Sequence, residues 1–420
     1  MIKAITGTKD ILPSDIPRWK HLEAIINSTA VNFNYKEIRT PVFEETSLFA
    51  RGIGETTDIV GKEMYTFNDR SGISVTLKPE MTAAVCRAFV EHSLDKKQSL
   101  NKFFYISPMF RQERPQAGRF RQFHQFGFEA IGSIDPHLDA ESIIIAYDIL
   151  TKLGLKDLSV KINTLGVPAS REEYKKILKN FLKPRLPQLS EDSRKRYETN
   201  ILRIFDSKTD TDKKIMADAP LLIEHLDDES LEHFEDVKQF LLATGVPFSV
   251  DSRLVRGLDY YTHTTFEIIS GSVGSQNALC GGGRYDLLIE EIGGSPTPGM
   301  GFAAGVERIL LACENENSFK LPDECLDLYI VTLDKNLNKR ANGLALFFRR
   351  NDLSVDLDYL SRSVKAQMRE ANKYNVKFVL LLGGEEYERD EIVLKDMQKG
   401  EQKTININDL SSIVSLIRGE

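Results

Sequence analysis

The sequence predicts a multidomain α/β protein: a mostly antiparallel sheet flanked by helices, a helical insertion, and a C-terminal α/β module with a mainly parallel sheet. Three observations carry this. Strand-like stretches outnumber helices between residues 35 and 132, which favours antiparallel pairing over a doubly wound sheet. Residues 170–242 turn charge-rich, with helical period and breaks at Pro184, Pro187 and Pro220. Beyond residue 326, strand and helix alternate as βαβ units do. At 420 residues the chain exceeds one simple core. The expected division is 1–169 and 247–319 for two parts of one core, 170–246 for the insertion, and 326–420 for the last module.

In chain order, Trp19, Leu22, Ile25, Ile26 and Val31 recur at helical spacing and predict a helix over 17–33. Pro41 confines the next extended stretch to a strand end or edge. Strands follow at 74–77, 102–110 and 120–132, with a helix over 79–92 between the first two. Helices are expected at 172–182, 191–205 and 229–242. Strands resume at 247 and run through 266–269, followed by the glycine-rich 271–275 and 281–283, read as flexible. GMGFAAG at 299–305 leads into a helix over 306–313, and 314–318 is a polar linker. The last module reads as strands at 326–333, 355–357 and 376–382 around helices at 336–350 and 364–373.

Hydrophobic residues make up 41% and charged residues 28%, a globular balance. The net charge of −7 does not advertise a nucleic-acid partner, so any such binding needs a local basic face. No apolar run approaches the ~18 residues of a bilayer span, and the first residues lack the layout of a secretory signal. Cys86, Cys280, Cys313 and Cys325 form no Cys-x-x-Cys pair, which disfavours zinc and fits a reducing compartment. A cytoplasmic protein without membrane contact is expected.

Chemistry concentrates in FFYISPMFRQERPQAGRFRQFHQFGFEAIG at 103–132. Two strands flank the loop 112–118, as in a long-tipped hairpin. Alternation puts Arg121, Phe123, Gln125, Gly127, Glu129 and Ile131 on one face. An amide and a carboxylate beside a bare glycine make a notch for a small polar ligand. Arg111, Arg114, Arg119 and Arg121 crowd the loop, and forked guanidinium donors suit phosphates. A solvated hairpin with scattered ion pairs is the other reading.

Three further segments matter, the first two with two readings each. LVRGLDYY at 254–261 offers Arg256, Tyr260 and Tyr261, as a site or as packing. KPEMT at 78–82 offers Glu80 and Thr82 at a helix start, as ligands or as a cap. The small residues of 299–305 allow close approach to a flat ligand, with Arg308 in the helix that follows. The pattern departs from a Rossmann fingerprint, and no P-loop sequence occurs. If ATP binds, arginines must hold it.

Taken together, these segments resemble the class II aminoacyl-tRNA synthetases and, among them, the histidyl-tRNA synthetase family. Residues 35–43 look like the first class motif, FRQER at 110–114 with RFRQFHQ at 119–125 like the second, and 299–308 like the third. LVRGLDYY and KPEMT look like the histidine-specific signatures, although Lys78 stands where the family more often has arginine. ILRIFDSK at 201–208 and RSVKAQ at 362–367 also match, so the likeness covers nearly the whole chain.

The resemblance implies a class II-like fold with an anticodon-binding C-terminal module, and histidyl-adenylate formation followed by transfer to tRNA. Arg111 and Arg256 are implied as catalytic. Arg111, Arg119 and Arg308 are implied to bind ATP, which carries Mg²⁺. Histidine would meet Glu80, Met81, Thr82, Arg111, Gln125, Glu129, Arg256, Tyr260 and Tyr261. Gln116 would approach the tRNA acceptor end. Arg362, Lys365 and Arg369, read as one helix face, are either tRNA contacts or a solvated surface. A homodimer is implied. The alternative is the non-catalytic, histidine-sensing regulatory subunit of ATP phosphoribosyltransferase, which resembles the same core. That relative generally lacks the last module and tends to lose the ligand arginines.

Overall fold

A computed structural model gives the fold, described for all residues except 55, 56, 58, 117, 275, 276, 320, 322–324 and 420. Ala117 of the hairpin loop and Ser275 of the glycine-rich stretch thus lie outside the described residues. The chain divides into two compact units, Met1–Lys320 and Leu321–Glu420.

The strands of the first unit are β1 (Lys36–Glu37), β2 (Phe43–Glu45), β3 (Tyr65–Asn68), β4 (Ser74–Leu77), β5 (Asn101–Phe110) and β6 (Gln122–Ile131), then β7 (Leu158–Thr164), β8 (Phe248–Val250), β9 (Thr262–Ser270), β10 (Ala278–Arg284) and β11 (Gly299–Gly305). Eight form one sheet in the order β1-β5-β6-β11-β10-β9-β7-β8. Its neighbours run antiparallel except at the two edges, β1 with β5 and β7 with β8. The smaller sheet β2-β4-β3 is antiparallel throughout.

Period-2 alternation divides the large sheet into two chemically different faces. Phe104, Phe126, Phe128, Phe266, Met300 and Phe302 point to one side. There they pack under the helices Ile16–Asn32, Pro136–Lys152, Asp228–Thr244 and Val306–Asn315. Phe128 and Phe302 stack with ring centroids 5.3 Å apart. The other face carries Tyr105, Gln125, Gly127 and Glu129 and is covered by the helix Thr82–Glu91 and the tyrosines of 260–285. That face is the polar one.

The helix Pro136–Lys152 was not foreseen, although its signal is present. Asp135 accepts the N–H of His137 as N-cap, and proline takes the first position. The expected helix over 191–205 is two pieces, Glu191–Thr199 and the 3₁₀ turn Ile201–Asp206. Asn200 breaks it by adopting φ −152° and donating its amide to Asp259 at 2.7 Å. In the insertion region Asp212 gathers Ser190, Ser193 and Ser207 around its carboxylate. Those hydrogen bonds outweigh burial and hold it at about 2. The last helix of that region, Asp228–Thr244, instead packs Phe234, Val237 and Leu241 into the main core.

The stretch 281–283, read as flexible, is the middle of strand β10. Its glycines are bare because neighbours occupy the space. A Cβ on Gly282 would overlap the backbone of β11, and one on Gly283 would lie 2.8 Å from the Tyr261 ring.

The second unit contains β12 (Leu328–Thr332), β13 (Val355–Leu357), β14 (Phe378–Leu382), β15 (Glu391–Asp396) and β16 (Gln402–Asn406), ordered β13-β12-β14-β15-β16. The β13-β12-β14 half is parallel, as βαβ connections require. An antiparallel hairpin, β15-β16, extends it and makes the sheet mixed. Arg362 precedes the helix Val364–Lys373, whose N-cap is Ser363. Only Lys365 and Arg369 of the three candidates therefore share that helix. The Arg362 guanidinium is held by Asp358 and by Glu370 at 3.0 Å.

Candidate active site

Glu129 on β6 is fully buried. It accepts hydrogen bonds from Thr82 Oγ1 at 2.7 Å, Tyr285 OH at 2.7 Å and Tyr105 OH at 3.4 Å. Burial nevertheless dominates and pushes its carboxyl up to about 8. Tyr105 reaches it because β5 sets Tyr105 opposite Gly127. Any Cβ on Gly127 would overlap the Tyr105 hydroxyl, and one on Gly301 across the sheet would overlap Glu129 itself. The two glycines thus make the room for this carboxylate.

Glu80, Met81 and Thr82 close the same pocket at the start of the helix Thr82–Glu91. Glu80 accepts from Thr82 N at 2.8 Å and Ala83 N at 2.9 Å, so the capping reading of this residue is observed. Burial raises its carboxyl against those two hydrogen bonds. Each oxygen keeps a second lone pair for a ligand. Neighbouring Lys78 is also buried. Its amine faces Thr40 Oγ1 and Met81 Sδ, both at 3.4 Å, and burial pulls it down to about 8. Tyr260 and Tyr261 complete the wall with ring centroids 4.7 Å apart, and Tyr260 stands 6.0 Å from Tyr285. Burial raises both phenols above their ordinary range.

Gln125, two turns of the alternation toward the mouth, leads into a second cavity of about 190 Å³. Its lining includes Arg111, Glu113, Arg119, Gln125, Arg256 and Arg308. Four guanidinium groups in so small a space repel one another, and two carboxylates offset part of this. Glu113 sits 3.0 Å from Arg119 and 3.8 Å from Arg111, while Glu267 on β9 pairs with Arg256. Burial opposes the charge of Arg256, but the Glu267 carboxylate holds the guanidinium above its ordinary value. Arg308 differs: burial, then repulsion from Arg119, lowers it. Its guanidinium donates to the carbonyl of Ala278 at 2.6 Å.

Among the described residues, four buried atoms at this cavity have no hydrogen-bond partner: the donors Arg256 Nε and Arg308 Nε, and the acceptors Gln125 Oε1 and Glu113 Oε2, the last of which is ion-paired with Arg119. Unpaired buried donors cost stability, so their presence argues for a ligand that pairs them. An anion with several oxygens fits the donors. The carboxylates lining the cavity, Glu113 and Glu307, are engaged by Arg119 and by His124, respectively.

The structure therefore brings together Glu80, Met81, Thr82, Glu129, Tyr260 and Tyr261 in one buried cluster, the histidine pocket of the reading proposed below. It brings Arg111, Arg119, Arg256 and Arg308 together in the next, with Gln125 between them. Gln116 lies apart, exposed at the hairpin tip where its backbone bridges to Arg119. Arg121 faces away, donating to the carbonyls of Glu113 and Thr6 at 3.3 Å. Tyr105, Tyr285, Glu113 and Glu267 were missed. Glu113 stood inside FRQER, where only the arginines were weighed. The tyrosines need the pairing of β5 with β6 and the recognition of β10 as a strand.

The family model for histidyl-tRNA synthetase matches residues 7–309, and that for the anticodon-binding domain matches residues 327–416. A histidine–tRNA ligase of Caldanaerobacter subterraneus is 48% identical over 415 residues, 99% of each chain. One of Geobacillus kaustophilus is 49% identical over 410 residues, 96% of each. The structure of apo Staphylococcus aureus histidyl-tRNA synthetase superposes with a TM-score of 0.83 at 38% identity, covering 100% of this chain and 99% of that one.

Proposed function

The chain belongs to the histidyl-tRNA synthetase family, and we propose that it activates L-histidine with ATP and transfers the histidyl group to the 3′ end of tRNA(His). One observation carries the residue assignment. A buried cluster of acids and phenols around Glu129 and an arginine-lined cavity that includes Gln125 lie along the same face of β6. An amino acid seated in the first would present its carboxylate to an α-phosphate held in the second.

In this reading Glu129 and Tyr261 meet the two imidazole nitrogens, Tyr260 lines the ring, and Met81 closes the floor. Glu80, Thr82 and Gln125 take the ammonium group. The histidine carboxylate attacks the α-phosphorus, and the bond to pyrophosphate breaks. Arg111 grips the α-phosphate and Arg256 opposes the charge that grows there, both by fixed electrostatics rather than proton transfer. Arg119 meets the γ-phosphate, and Arg308 meets the adenine ring or the γ-phosphate. Mg²⁺ would be held by phosphate oxygens and water, since Glu113 and Glu307 already have cationic or imidazole partners. The terminal ribose hydroxyl of the tRNA then takes the histidyl group, with Gln116 near the acceptor end. Polar groups left unpaired by an apolar amino acid would supply the discrimination.

The same reading divides the chain into core 1–169 and 247–319, insertion 170–246, and anticodon-binding domain 326–420. Within the last, Lys365 and Arg369 are exposed one turn apart and offer a basic face to the tRNA. A homodimer is supported by Phe43 and Phe67, which are 56% and 50% exposed on the small sheet. A cytoplasmic location is supported by four free cysteines. No helix among the described residues is long and apolar enough to cross a membrane.

Histidine-dependent ATP–pyrophosphate exchange by the full chain tests the reading. Exchange is expected with histidine alone among the amino acids. Histidine binding without exchange would instead favour the sensing subunit of ATP phosphoribosyltransferase.

A further inference from the structure

The tyrosines at 260 and 261 enter the pocket from a piece of backbone with unusual geometry. His263, two residues on, belongs to β9 yet has φ +40°, a region that residues with a Cβ rarely adopt. On the β7 side its backbone is still bonded, to the two residues that follow the end of β7. The His263 N–H donates to Gly166 O at 3.0 Å, and its carbonyl accepts from Leu165 N at 2.7 Å. On the β10 side the register breaks. Gly283 faces Thr265, but the next residue, Arg284, faces Thr262. His263 and Thr264 are left unopposed, which is a two-residue bulge. Bulges bend a strand and re-aim the side chains beside them.

A buried charge cluster lies against this bulge. Arg284 is fully buried, pairs with both oxygens of Asp139, and donates to the carbonyl of Ser133 at 2.8 Å. Asp139 also bonds His233 Nε2 at 2.9 Å, and the His233 ring stands 5.0 Å from that of His263. Asp286 joins the two strand ends, accepting from Arg284 at 3.2 Å and from Thr262 Oγ1 at 3.0 Å. Thr262 and Arg284 are therefore the last residues gripped by the cluster. The residues next to them, Tyr261 and Tyr285, belong to the pocket. Nothing in the chemistry assigned to the pocket uses Arg284, Asp139, His233 or His263.

We propose that His263 is a positioning residue: its left-handed backbone bulges β9 so that Tyr260 and Tyr261 enter the pocket, and the Arg284–Asp139–His233 cluster locks that bulge. The inference rests on reading that pocket as the histidine site. Arg171 reinforces it from the insertion side by donating to the Tyr261 carbonyl at 2.5 Å.

The test compares His263→Gly, which adopts positive φ freely, with His263→Val, whose branched side chain resists it. Pyrophosphate exchange is measured against histidine and against ATP. His263→Gly should keep the KM for histidine within about threefold of the parent. His263→Val should raise it at least roughly tenfold, with the KM for ATP unchanged. A role confined to stability would lower the active fraction, hence apparent kcat, and leave KM alone. If His263→Val does not fold, His263→Ala replaces it in the same comparison. A KM within about twofold of the parent for the folded Val or Ala variant overturns the proposal, as does an equal rise for Gly and Val. Glu129→Ala, run in parallel, separates the two ways of failing. If it raises the histidine KM while His263→Val does not, the positioning role alone falls. If neither does, the pocket assignment falls with it.

Discussion

The two pockets on β6 lie side by side but are prepared in opposite ways. Around Glu129 the carboxylate already receives hydroxyls from Thr82, Tyr285 and Tyr105. Around Arg256 and Arg308, buried donors stand without partners and guanidinium groups face one another. The first is organised before any ligand arrives, so it can discriminate by shape and hydrogen-bond pattern. The second is completed by what it binds, as suits a polyanion whose charge changes during reaction. The difference follows from neighbours: phenols and a threonine meet a carboxylate with hydrogen bonds, whereas the summed charge of clustered arginines is neutralised only by anions.

That contrast can be broken experimentally, and Arg256 is the strongest lever. Arg256→Ala should lower single-turnover adenylate formation by roughly 10²–10³-fold, the range seen for loss of one transition-state donor. Histidine affinity by calorimetry should survive. A parallel fall in histidine affinity would show that the two pockets are not separable. Glu129→Ala acts on the other side. It removes the proposed acceptor for an imidazole nitrogen and leaves that buried group unpaired, which costs about 1–3 kcal/mol, so the KM for histidine should rise roughly 5- to 150-fold. The KM for ATP should not move. Arg119→Ala is milder because Arg119 is partly exposed and shares Glu113. A rise of about tenfold in the KM for ATP is expected, shrinking with added salt.

The smallest effect is on pH-dependent stability. Burial raises Glu129 from 4.5 to about 8. A raised carboxyl favours the protonated form in the folded state. Its stabilising contribution is therefore complete below pH 4.5 and lost as pH climbs to about 8. Lys78 acts with the opposite sign, because burial lowers its amine from 10.5 to about 8. Its contribution is present above pH 10.5 and lost as pH falls through about 8. Glu129→Gln should flatten the melting-temperature slope below pH 8 and leave that above it, whereas Lys78→Met should do the reverse. Identical slopes in both variants would show that neither group titrates as its burial requires.

Much of this was legible wherever a single strand carried the information. Gln125, Gly127 and Glu129 share a face because alternation needs no partner strand. Pro79 and Thr82 marked a helix start that lies three residues later than expected. What failed depended on other parts of the chain. Tyr105 meets Glu129 only because of its register with Gly127. The glycines of β10 signalled freedom when read locally, yet they are bare because the Arg256 guanidinium, β11 and the Tyr261 ring fill their space. Arg362 was placed on a helix by spacing, but its Asp358 and Glu370 partners hold it ahead of Ser363. Sequence spacing finds faces. It does not find what lies across from them.

Glu113, set between Arg111 and Arg119, has a consequence for turnover. In the free protein it serves as a resident counter-ion that offsets part of the repulsion between them. Under the proposed function, a triphosphate arriving in this cavity competes with it, so part of the attraction is held back at capture. In that reading, once pyrophosphate departs, the same carboxylate is on hand to receive the vacated guanidinium groups. A cavity built of arginines alone would hold its polyanion more tightly and release it more slowly; one carboxylate among them lets the site be reused.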